Sequence, residues 1–139
     1  MRVLIMHADD PKTQKAVAVL QEALAKEQVK VDLISPASAG TSPVSTAPYG
    51  LVCVVCGYTG WWKPQIPADM DNLIKRTTRL EGKRGCALVL PGLLGTTKAL
   101  RVLMGHMEKQ GVIVEDFGAL GGRQEILAIV KRLRRLLEG

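Results

Sequence analysis

Apolar residues in this chain fall into two patterns that alternate along its length. Short continuous or alternating apolar runs occur over residues 2–7, 29–33, 51–56, 86–90 and 112–117. They are rich in branched side chains and have the length of strands. Between most of them, apolar residues recur at helical spacing. Ala16, Val17, Leu20, Ala23 and Leu24 share one face of a first helix, and Met70, Leu73, Ile74 and Leu80 mark a second. Ala99, Leu100, Leu103, Met104 and Met107 mark a third helix, and Ile126, Ile129, Val130, Leu133 and Leu137 a fourth. Asp10-Pro11 predicts the start of the first helix, because Asp caps free amides and Pro needs no N–H at the first helical position. Gly111 predicts the end of the third. Residues 35–48 are rich in Ser, Ala, Thr and Pro and read as a loop with at most a degenerate helical turn.

This order, without linker or repeat, predicts one domain over residues 1–139. It calls for right-handed crossovers and a parallel sheet. The predicted class is α/β: a doubly wound five-stranded parallel sheet, order 2-1-3-4-5, with helices on both faces. The third run, LVCVVC, is apolar on both faces, as an internal parallel strand should be. Ligands of such sheets bind beyond the carboxyl ends of the strands, where strand order reverses. That places a site on the 7–13, 57–67 and 91–97 loops.

Composition sharpens this reading at a few points. Apolar residues make up 47% of the chain but aromatics only 4%, so the core must be aliphatic and Trp61-Trp62 stands out. No apolar stretch nears the ~18 residues of a membrane span, and the N-terminus lacks a signal-peptide pattern. The expectation is a cytoplasmic protein that does not engage membranes. Cys53 and Cys56 form a C-x-x-C, but residues three apart on a strand point to opposite faces, so both read as structural. The net charge is +6, concentrated over residues 75–84 and 123–135. These stretches read as solvated helical faces or as a docking surface for an acidic redox or signalling protein. No aromatics interleave with them, which argues against nucleic acid. His7 lies in a candidate ligand loop, whereas His106 falls on a helix flank. No triad, metal-ligand spacing or phosphate-binding G-x-x-x-x-G-K-[ST] loop is present.

The segments YGLVCVVCGYTGWWKPQIPADMDNLIKR, LEGKRGCALVLPG and KALRVLMGHMEKQGVIVEDFG give the chain a further likeness. Their strand, Gly-aromatic loop, helix and Gly-Lys approach to the next strand resemble the flavodoxin-like family, over nearly the whole chain. The resemblance implies FMN at the switch point and a role in electron transfer or as a small oxidoreductase. It implies that Tyr58, Thr59, Gly60, Trp61 and Trp62 contact the ring, with Gly92, Leu93, Leu94, Gly95 and Thr96 at its edge. His7, Ala8, Asp9, Asp10, Lys12 and Thr13 then fall at the phosphate loop. That loop departs from the family's Ser/Thr-x-Thr-Gly-x-Thr. Here it reads HADDPKT, in which Thr13 alone matches. A phosphate beside Asp9 and Asp10 meets like charge, and two unit charges ~4 Å apart repel by about 4 kcal/mol at a dielectric of 20. Lys12 offsets part of this. The departure keeps a second class open: a flavin-free interaction or regulatory domain. Receiver domains also place acids after the first strand, but their phosphoacceptor position falls here on Val55 and Cys56. Only a degenerate receiver would fit. Paired tryptophans serve a subunit contact as readily as a flavin, so homo-oligomerisation stays open.

Overall fold

In the computed structural model, which describes residues 2–138, the chain runs through twelve elements. They are β1 (Arg2–His7), α1 (Pro11–Lys26), β2 (Lys30–Ile34), α2 (Pro36–Ala39), β3 (Val44–Ser45) and β4 (Leu51–Cys56). There follow α3 (Ala68–Arg76), β5 (Thr77–Thr78), β6 (Arg84–Val89), α4 (Thr96–Lys109), β7 (Ile113–Ala119) and α5 (Arg123–Glu138). The main sheet has five strands in the order β2-β1-β4-β6-β7, every pair parallel. Counting only these five, the order is 2-1-3-4-5, as the alternation of patterns predicts.

Side-chain alternation divides the core between the two faces of the sheet. On one face Val3, Ile5, Cys53, Val55, Cys86 and Leu88 pack with Leu20 of α1 and Ile129 of α5. On the other, Leu4, Met6, Val54, Cys56, Ala87 and Val89 pack with Leu73 of α3 and Leu103 of α4. Cys53 and Cys56 therefore lie on opposite faces, and all three cysteines are free and buried.

The structure corrects the pattern between residues 35 and 84. The second predicted helix does not reach Leu80: α3 stops at Arg76. Thr77 turns to extended backbone and its hydroxyl donates to the Leu73 carbonyl at 2.6 Å. Thr77–Thr78 then pairs in parallel with Val44–Ser45, forming a two-stranded sheet. β-branched Thr favours this extended state. Leu80 is buried from the following turn instead. The 35–48 stretch is more than a loop. It holds α2, started by a capping box between Ser35 and Ser38, and β3. The basic 75–84 stretch is accordingly no single helical face.

Candidate functional site

The first loop is held by its own side chains. The Ala8 amide donates to the Val55 carbonyl at 3.0 Å, and Ala8 is buried. His7 is buried as well, with Nδ1 2.8 Å from the Ala8 carbonyl. A carbonyl only accepts, so Nδ1 carries the proton. Asp10 is the N-cap of α1. One carboxylate oxygen accepts from the Thr13 amide at 3.1 Å and the other from the Thr13 hydroxyl at 2.7 Å. Thr13 is wholly buried. Asp9 turns away to accept from the Ala37 amide at 3.0 Å, at the start of α2.

The 57–67 loop is a small closed turn. Thr59 and Gln65 exchange backbone hydrogen bonds at 3.0 and 2.9 Å. Trp61 and Trp62 sit at its tip with 60% and 66% of their surfaces exposed. Their rings meet edge to face, 5.7 Å between centroids. The Lys98 ammonium lies 4.9 Å from the centre of the Trp62 ring, within cation–π range. The sequence reading missed Lys98, because no local pattern ties α4 to the tryptophan loop.

Tyr58 ties this loop to the next. Its hydroxyl donates to the Leu94 carbonyl at 2.7 Å and lies 3.0 Å from the Thr96 hydroxyl. The Gly92 amide donates to Thr96 Oγ1 at 3.2 Å. A Cβ on Gly92 would come within 2.6 Å of the Tyr58 oxygen, so only glycine allows this approach. Leu93 is fully exposed and Leu94 63% exposed.

A depression of about 590 Å³ results, lined by Asp10, Lys12, residues 57–61, Pro67 and residues 90–94. A second, of about 440 Å³, shares Trp61, Leu93 and Leu94 and extends over Gly95, Thr96, Thr97 and Lys98. The fold thus brings most of the sequence-derived candidates together at the expected switch point. His7, Ala8 and Thr13 are instead buried beneath it, Asp9 faces α2, and Trp62 lies outside both linings. Leu90, Pro91, Gly57 and Pro67 join the lining; Gly57, Pro67 and Pro91 lie on loops that were legible and Leu90 in the fourth strand run, but their individual contacts were not legible.

Cys56 ends β4 near this region. Burial, then the charges of Asp10 and Asp69, push its thiol up to about 12, which removes it as a nucleophile at neutral pH. His106 is paired with Asp71 of α3 at 2.8 Å, away from the loops. Among the described residues, no group of three or more His, Cys, Asp or Glu could hold a metal. Among the described residues, no helix is long and apolar enough to cross a membrane.

Flavodoxins stand among the solved structures similar to this chain. Flavodoxin 1 from Bacillus cereus superposes with a TM-score of 0.75 at 12% identity, covering 97% of this chain and 98% of that one. A Fusobacterium nucleatum flavodoxin bound to flavin mononucleotide gives 0.62 at 13% identity, with 96% and 97% covered. A flavo di-iron protein from Thermotoga maritima gives 0.74 at 8% identity, covering 98% of this chain but 36% of that one. No protein-family model matches the chain, and no curated protein matches it. The fold defined by these likenesses is flavodoxin-like. At such identities the likeness establishes the architecture, and function rests on the site itself.

FMN has two ends to satisfy. The ring end fits: Tyr58, Trp61, Leu93 and Leu94 offer flat and apolar surface around an open depression. The phosphate end does not fit, because the Thr13 amide and hydroxyl are already taken by Asp10. Pro11 has no N–H to offer, and no glycine opens the loop.

Proposed function

We propose that this is a flavodoxin-type electron carrier or small oxidoreductase that seats a flavin ring on its 57–67 and 91–97 loops. The observation that carries the reading is the clustering of Trp61, Trp62, Leu93 and Leu94, all exposed, at the switch point of the sheet. Exposed large apolar side chains gathered in one place mark a ligand or partner surface. The fold shared with a flavodoxin that binds flavin mononucleotide favours a flavin as the occupant. A bound flavin supplies one- or two-electron transfer, and the chain contributes ring contacts, orientation and nearby charge. Tyr58 holds the 91–97 loop in register with the tryptophan loop, and Lys98 steadies Trp62. The basic face of α5 serves as a docking surface for an acidic protein; its C-terminal half lies at the strand-start end of the sheet, where Arg84 donates to the Leu136 carbonyl, and not beside the ring loops. Part of that face is internally neutralised, Arg132 by Asp116 and Arg134 by Glu27 and Glu138, which leaves Arg123, Lys131 and Arg135 to carry the attraction.

The test is spectroscopic. Protein titrated with riboflavin and with FMN should quench flavin and tryptophan fluorescence together and shift the visible absorbance bands. No change with either flavin at ~100 µM would overturn the reading, since that corresponds to only about −5.5 kcal/mol. The second reading, a flavin-free interaction or regulatory domain, is favoured by the occupied phosphate position and would then stand.

A further inference from the structure

The first loop already contains an anion where a phosphate-bearing ligand would need to place one. We infer that the flavin taken by this chain carries no phosphate monoester, and that Asp10 is the residue that sets this preference. The inference rests on the flavin reading above and narrows it to the neutral-tailed flavins, of which riboflavin is the accessible member.

The start of a helix favours negative charge, because its first amides lack intrahelical acceptors and the helix dipole points its positive end there. In this chain the Asp10 carboxylate takes that role internally. Both its oxygens are engaged, by the amide and the hydroxyl of Thr13. Thr13 is buried, so its donors cannot turn outward to a second acceptor without opening the first turn of α1. The Ala8 and Gln14 amides are also committed, to the Val55 and Asp10 carbonyls. A phosphate dianion would have to displace Asp10 and then sit beside the displaced carboxylate, with Asp9 on the adjacent residue. The charged side chains lining the depression, Asp10 and Lys12, are of opposite sign and sum to zero. That balance suits a polyhydroxylated neutral tail, which exchanges hydrogen bonds without adding charge. The ring platform of Tyr58, Trp61, Leu93 and Leu94 does not depend on this end of the site.

The experiment compares riboflavin with FMN on the intact protein by fluorescence titration and calorimetry, for the wild type, Asp10→Asn and Asp10→Gly. Asn keeps an N-cap acceptor and removes the charge. Gly removes the occupant and is tolerated at N-caps at small cost. A far-ultraviolet melt confirms that each variant is folded, and either one suffices for the comparison. The wild type should bind riboflavin at least tenfold more tightly than FMN. Both variants should move the ratio of the two dissociation constants at least tenfold toward FMN, and Asp10→Gly should move it further. Equal affinities in the wild type, or a ratio that neither variant moves, would overturn the role of Asp10 and leave the flavin reading intact. Failure of both flavins to bind any of the three proteins would instead sink the flavin reading, and this inference with it.

Discussion

Single residues govern local geometry, and three of them lead to measurable consequences. Asp10 holds two donors of Thr13, so Asp10→Ala should lower stability by about 1 kcal/mol, the usual cost of losing an N-cap, in urea unfolding. Gly95 has φ +86°, and a Cβ there would lie 3.0 Å from the Trp61 carbonyl oxygen. Gly95→Ala should therefore cost roughly 1–3 kcal/mol in the same assay, by backbone strain and contact together, and should perturb tryptophan emission. Asp32 accepts hydrogen bonds from Tyr49 and Arg2, which together hold its carboxyl below the ordinary 3.8. A carboxyl depressed in the folded state stabilises above its unfolded value, and that contribution is lost as pH falls through the folded one. Wild type and Asp32→Asn should accordingly differ in melting temperature at neutral pH and converge as pH drops below 3.8. A gap that does not narrow as pH falls below 3.8 would refute this. At this scale the cap at Asp10-Pro11 was legible, because capping is a local rule. That the carboxylate also consumes both donors of Thr13 was not, since it depends on a rotamer and on burial that only tertiary packing sets.

Among the elements, the long helices and the five main strands were legible because their apolar periods are long and unbroken. The 35–48 and 77–84 stretches were not. A helix of four residues and strands of two span barely one period of the pattern that reveals them, too little for a repeat to show. Their pairing is also non-local, Val44 with Thr77 and Ser45 with Thr78, so neither partner announces the other. Strand β6 illustrates a second kind of hidden constraint. Gly85 reads as a weak point in an apolar strand, yet a Cβ there would come within 2.4 Å of Val112 Cγ1 and 3.1 Å of Met107 Cε. The end of α4 and its turn into β7 rest directly on the sheet at this glycine. The register between β6 and β7 also shifts there, between Gly85 and Cys86. Gly85→Ala should destabilise by about 1–3 kcal/mol through overpacking, even though alanine is the better strand and helix former. Pairing the change with Val112→Ala should recover part of the loss, because the shortened side chain removes the closest contact. A double mutant no more stable than the sum of the two single changes would show that the clash lies elsewhere.

The whole molecule has its candidate site at one end and its sulfur in the middle. The three thiols lie on two adjacent internal strands, Cys53 and Cys56 on β4 and Cys86 on β6, each without solvent exposure. Burial and the Asp10 and Asp69 charges raise the Cys56 thiol, while the neighbouring Cys53 and then burial raise that of Cys86. A thiol reagent reacts with exposed thiolate, so labelling requires the sheet to open. For a domain with a typical ~5–15 kcal/mol of stability the open population is very small. Native protein mixed with a chromogenic disulfide reagent should show no fast-reacting thiol, and three after denaturation in guanidinium. The order of slow labelling then tests how rigid the loop end is. Cys56 terminates its strand beside the 57–67 loop, whereas Cys53 lies mid-strand between β1 and β6. If the loops are held by Tyr58 and Thr96 as the geometry shows, all three thiols should react together at the rate of global opening. Tyr58→Phe, which removes the hydroxyl that joins the two loops, should release Cys56 ahead of the other two. Early labelling of Cys56 in the wild type itself would mean that the carboxyl end of the sheet opens without the rest. Saturating riboflavin, if it seats on these loops, should then slow that reaction selectively.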